Sequence, residues 1–145
     1  MSKMQFPISF QVSAKASKGI GSSWSSIVEG LDNVNSCIPK EFGGPSDGYS
    51  PEDFFALAVL NCIIATFKVY TEHSNLSFED LDANAEAKMD KHSDNYLFIS
   101  HIDIKINITG ASDKEKIKST LDKAIKDCAI SNSIKSGKTY DINIS

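Results

Sequence analysis

The stretch SPEDFFALAVLNCIIATFKVY, residues 50–70, decides how the rest of the chain must be arranged. Ser50 has the side chain of an N-cap, and Pro51 suits the first helical position, where its missing N–H would be unpaired anyway. Glu52 and Asp53 bring negative charge to the positive end of the helix dipole. Beyond them the helix is apolar on nearly every side: Phe54, Phe55, Leu57, Val59, Leu60, Ile63, Ile64 and Phe67. A helix of that kind is buried on several faces. One protomer of 145 residues offers it limited cover, so the pattern predicts that a second copy supplies part of the burial. A single thiol, Cys62, sits at the middle of this helix.

Working outward, residues 79–91 alternate with Ala83, Ala85, Ala87 and Met89 on one face. Residues 97–108 answer with Phe98, Ile102, Ile104, Ile106 and Ile108. The turn residues DKHSDN between them make a β-hairpin. Ser112 and Glu115 have capping-box spacing, and Ile117, Leu121, Ala124, Ile125 and Cys128 then form one apolar stripe of a second long helix. AISNSIKSG predicts a break with a short helical piece, and Thr139–Ile144 alternate as a last strand. On the N-terminal side, Phe6, Ile8, Phe10 and Val12 alternate as a half-buried strand over residues 5–13. Short strands are expected over Trp24–Val28 and Asn33–Ile38, then a loop at PKEFGGPSDGYS. The order of strands, helix, hairpin, helix and strand predicts an α+β fold in one domain, residues 1–145.

Formal charge is −4, with no cluster of positive residues, so neither nucleic acid nor an anionic membrane is an expected partner. The start, MSKMQFPISF, lacks the apolar core of a signal peptide, and the apolar run within 54–67 is broken by Asn61 and too short for a bilayer span. A cytoplasmic location is expected. All fifteen basic residues are lysines, and without arginine the chain has no bidentate grip on a carboxylate or phosphate. Three cysteines in a reducing compartment leave packing, metal or redox chemistry rather than a disulfide framework.

A cysteine on an apolar stripe is more often core than catalyst, and that reading applies to both Cys62 and Cys128. Yet the two lie on the helix faces expected to pack together, where paired thiols would form a redox couple. Cys37, before a loop, reads as incidental. Burial raises a thiol's pKa, so a reactive Cys62 would need a positive partner; Lys15, Lys18 and Lys40 lie in loops that could supply one. Glu52 could orient such a cation. It is ten residues from Cys62, ~15 Å along the axis, so within one helix the two cannot touch. They could meet if two copies of the helix packed antiparallel. Otherwise Glu52 is simply a helix-start acid. His73, His92 and His101 have no metal-ligand spacing, and no Walker, dinucleotide or nucleophile-elbow motif is present.

The segment PKEFGGPSDGYSPEDFFALAVLNCIIATF, residues 39–67, resembles the centre of the OsmC/Ohr family, the osmotically inducible and organic hydroperoxide resistance proteins. The matching features are Pro39, Gly43, Gly44, Pro51, Glu52 and Cys62, and CAIS from Cys128 is similar to the family's second cysteine signature. The resemblance implies an intertwined homodimer with the cysteine helices at its centre. It implies a peroxidatic Cys62 that becomes a sulfenic acid and a resolving Cys128 that closes a disulfide. The substrate would be an organic hydroperoxide. No bound cofactor is implied; an external dithiol, lipoyl in some members, would reset the pair. The hydroperoxide-resistance branch holds an arginine against the glutamate matched by Glu52. This chain has none, and Lys18 is the nearest stand-in, which marks a divergent branch. The alternative is an OsmC-like protein without turnover, binding a small apolar ligand or acting as a thiol sensor.

Overall fold

In the computed structural model, residues 3–145 are described. The chain divides into two compact units, residues 1–54 and 55–145.

The N-terminal unit holds an antiparallel sheet in the order β1 (Ser13–Lys15), β2 (Trp24–Ile27), β3 (Val34–Ser36). The last two strands fall where the pattern put them. The first is much shorter than expected, because residues 5–12 pair with no strand among the described residues. Alternation marks a segment able to form a strand, but a strand exists only where a neighbour completes its hydrogen-bond ladder. Phe10 and Val12 accordingly stand 90% and 79% exposed. In the loop after β3, Gly44 is required by space: a Cβ there would lie 1.7 Å from the Ile38 carbonyl oxygen.

Helix α1 runs Pro51–His73. Its start is a reciprocal cap in which the Asp53 N–H donates to Ser50 Oγ at 3.1 Å and the Ser50 N–H donates to Asp53 Oδ2 at 2.9 Å. At 23 residues α1 is long and apolar enough to cross a membrane, contrary to the estimate from the run alone. Its fully buried stripe of Val59, Ile63 and Phe67 belongs instead to the core of the C-terminal unit.

That unit carries the second sheet, β4 (Asp80–Lys91), β5 (Leu97–Thr109) and β6 (Gly137–Ile144), in the order β4-β5-β6. The hairpin is antiparallel, whereas β6 lies parallel to β5. A parallel neighbour needs a long crossover, and α2 (Lys114–Asp127) and α3 (Ala129–Asn132) supply it. Ile102, Ile104, Ile106 and Ile108 of β5 pack with α1 and with Ile117, Leu121 and Ala124 of α2. Phe98 departs from the expected face. Lys88 pairs with His101 and Met89 with Ile99, so Ser100 is an extra residue in β5. Such a bulge reverses the alternation beyond it, turning Ile99 inward and Phe98 out beside His92 and Tyr96. The α2 cap also differs: Asp113 accepts from the Lys116 N–H at 3.1 Å, while the Ser112 hydroxyl is taken by the Ser77 N–H.

Candidate functional site

Cys62 lies on α1 beside the buried stripe and is only partly covered; Cys128 is 0% exposed. Cys128 ends α2 and begins α3. Its extended backbone (φ −62°, ψ 109°) breaks the helix, and its sulfur takes the place of a capping hydroxyl, accepting from the Ser131 N–H at 3.4 Å. The first N–H groups of any helix lack partners within it. In α3 these groups serve sulfur: the Ser131 N–H donates to Cys128 Sγ, and the peptide groups of Ala129 and Ile130 favour the thiolate of Cys62. Cys62 and Cys128 belong to one packed cluster and lie close enough for each to alter the other's acidity.

The environment divides their acidities. Burial pushes the Cys62 thiol up, but its polar neighbours together outweigh it: first the Ile130 peptide group, then the Cys128 thiol, the Ala129 peptide group and, least, Thr66. The result lies below the ordinary value of 9.0. Cys128 moves the other way, to about 11, chiefly by burial, and further because it gives its hydrogen bond to Cys62 and lies beside that sulfur's negative charge. One sulfur is thus set up to carry the charge and the other the proton. The largest groups that lower the pKa of Cys62 are neutral ones of its own unit, whereas Lys15, Lys18 and Lys40 belong to the other unit.

Around the pair, the Thr66 hydroxyl donates to the Cys62 carbonyl at 2.8 Å. Tyr140 of β6 is half-buried, and its phenol is held above its ordinary value, first by burial and also by the nearby Cys128. Neither Tyr140 nor Lys138, whose ammonium donates to the Ser131 carbonyl at 3.0 Å, was singled out from sequence. The available signal was that both sit at alternate positions of a strand whose other inward residues are isoleucines.

Glu52 and Lys18 belong to the N-terminal unit. Glu52, in the first turn of α1, has a buried Oε2 without a hydrogen-bond donor among the described residues. Lys18 is exposed in the turn before β2, where its carbonyl accepts from the Ser22 hydroxyl. Cys37 is fully buried within that same unit and points its thiol at the Gly48 carbonyl, 3.4 Å away.

A two-sheet α+β scaffold that brings two unlike thiols together at one helix start defines the class of molecule. The chain belongs to the OsmC-like protein family, whose model matches residues 44–143. An OsmC-like protein of unknown function from Vibrio cholerae superposes with a TM-score of 0.81 at 14% identity, covering 94% of this chain and 99% of that one. An organic hydroperoxide resistance protein from Legionella pneumophila gives 0.73 at 21% identity, covering 96% and 99%. The organic hydroperoxide resistance protein OhrB of Bacillus subtilis gives 0.67 at 18% identity, covering 95% and 98%. At these identities the likeness is one of fold. An uncharacterised protein of Bacillus subtilis, YmaD, is 39% identical over 49 residues, and the match spans 34% of this chain and 33% of that protein.

Proposed function

We propose that the protein is a soluble, cytoplasmic thiol peroxidase that reduces organic hydroperoxides, as the names of several of its structural neighbours suggest for them. The observation that carries this reading is the unequal pair: Cys62 held below its ordinary value by donors, against Cys128 raised to about 11. A nucleophilic thiol must be a thiolate, so the thiol of lower pKa is the one that meets the peroxide first.

The Cys62 thiolate attacks the terminal oxygen of the hydroperoxide. The O–O bond breaks, and the alkoxide leaves and takes a proton from solvent to become the alcohol. Cys62 is now a sulfenic acid. The Cys128 sulfur then attacks the Cys62 sulfur, the S–O bond breaks, and the departing hydroxide leaves as water with the Cys128 proton. An external dithiol, of lipoyl type, reduces the disulfide. The scheme needs no bound cofactor. Glu52 serves to orient a cationic group, and Lys18 is the candidate to replace the family's arginine. The exposed Phe10 and Val12 and the apolar flank of α1 support a homodimer in which a second copy covers them.

One equivalent of cumene hydroperoxide should remove two thiols with a mass decrease of about 2 Da, the signature of one disulfide. Unchanged thiols would reject turnover and favour an apolar-ligand protein, whereas oxidised thiols without sustained peroxide consumption would favour a redox sensor; the complete lack of arginine is the observation that supports these alternatives.

A further inference from the structure

Lys138 is out of place by composition. In β6 the inward-facing row is Lys138, Tyr140, Ile142 and Ile144, paired in register with four buried isoleucines of β5. It is the one charged residue in that row. A lysine on an apolar face must either snorkel to water or find an acceptor. Here the half-buried ammonium donates to the Ser131 carbonyl at 3.0 Å.

Ser131 is itself buried, and it belongs to the single turn whose beginning serves the thiols. Its own N–H donates to Cys128 Sγ, and the two peptide groups before it favour the Cys62 thiolate. A four-residue helix has too few internal hydrogen bonds to keep its shape alone.

We propose that Lys138 is a positioning residue for the thiol pair: by pinning the Ser131 carbonyl at the end of α3, it keeps the N–H groups of Ala129, Ile130 and Ser131 aimed at the two sulfurs. The inference rests on the peroxidase reading for its consequence in turnover, but the aim of the N–H groups can be measured without peroxide.

In the full-length protein, the rate of iodoacetamide addition at Cys62 is followed by peptide mass between about pH 5 and 10, a range that brackets thiol ionisation. Lys138→Met should raise the midpoint by about one unit, which is about tenfold less thiolate at neutral pH. Lys138→Arg, which can still donate to the carbonyl, should keep the parent midpoint. So should Lys135→Met, an exposed lysine three residues away. If Lys138→Met loses its circular dichroism, Lys138→Gln, uncharged and shorter, carries the same test. A parent-like midpoint in the folded uncharged variant overturns the proposal, as does a rise with Lys135→Met equal to that with Lys138→Met. A parent protein that consumes no cumene hydroperoxide sinks the peroxidase reading and leaves this result to stand or fall by itself.

Discussion

At about pH 7.5, alkylation should find Cys62 well before Cys128, and the margin can be worked from the thiol environments. Cys128 titrates at about 11 and Cys62 below 9.0, a gap of at least two units. Two units is about a hundredfold in thiolate fraction well below both midpoints. A more basic thiolate is intrinsically more reactive, which returns about six- to tenfold to Cys128. The net preference is therefore at least about tenfold from ionisation alone, and full burial of Cys128 can only widen it. A time course with substoichiometric iodoacetamide, read by peptide mass, measures the ratio directly. Two variants separate the causes. Cys62→Ser removes the neighbouring charge, so the Cys128 midpoint should fall. Cys128→Ala removes a donor, so the Cys62 midpoint should rise, whereas Cys128→Ser keeps a hydroxyl in the same place and should hold it down. Labelling of Cys128 that equals or precedes that of Cys62 would refute the reasoning.

Under hydroperoxide, Cys62→Ser should abolish reduction, while Cys128→Ser should stop at a sulfenic acid that dimedone captures; parent-like turnover by Cys128→Ser would remove the resolving role. Ile63→Ala, in the buried stripe of α1, should cost about 2–5 kcal/mol in urea denaturation, and a loss under about 1 kcal/mol would place that stripe outside the core. Asp103 is held down to about 2, first by its hydrogen bond with Lys88 at 2.8 Å and then by the Thr139 hydroxyl. A carboxyl that titrates lower when folded stabilises fully above its unfolded value of about 3.9 and loses that contribution as pH falls towards the folded one. The stability gap between the parent and Asp103→Asn should therefore shrink between about pH 5 and 2, and a gap that does not change with pH would contradict it.

Much of the architecture was legible because it rests on period and punctuation. The helix from Pro51, the hairpin around DKHSDN, the stripe from Ile117 to Cys128 and the last strand were all visible, since each repeats its apolar residues often enough to outweigh local exceptions. The misreadings have specific causes. Residues 5–12 alternate like a strand but find no ladder among the described residues. The extra residue at Ser100 turns Phe98 outward, and a bulge leaves no mark in composition. At the start of α2, two polar residues side by side could both cap, and Asp113 does so because Ser112 is engaged by Ser77.

By itself the amino-acid order determined the elements, the positions of the two thiols and the absence of arginine, since each depends on which side chains occur and how often they recur. Only the tertiary structure decided what makes the thiols unlike. The groups that hold Cys62 down are led by peptide N–H groups, which nearly every residue carries and no residue type announces. They act only because the chain breaks at Cys128 and presents the free start of α3 to sulfur from another helix. Lys138 was hidden for the same reason: its place on the inner row of β6 follows from the parallel register with β5, and a register is a relation between distant segments.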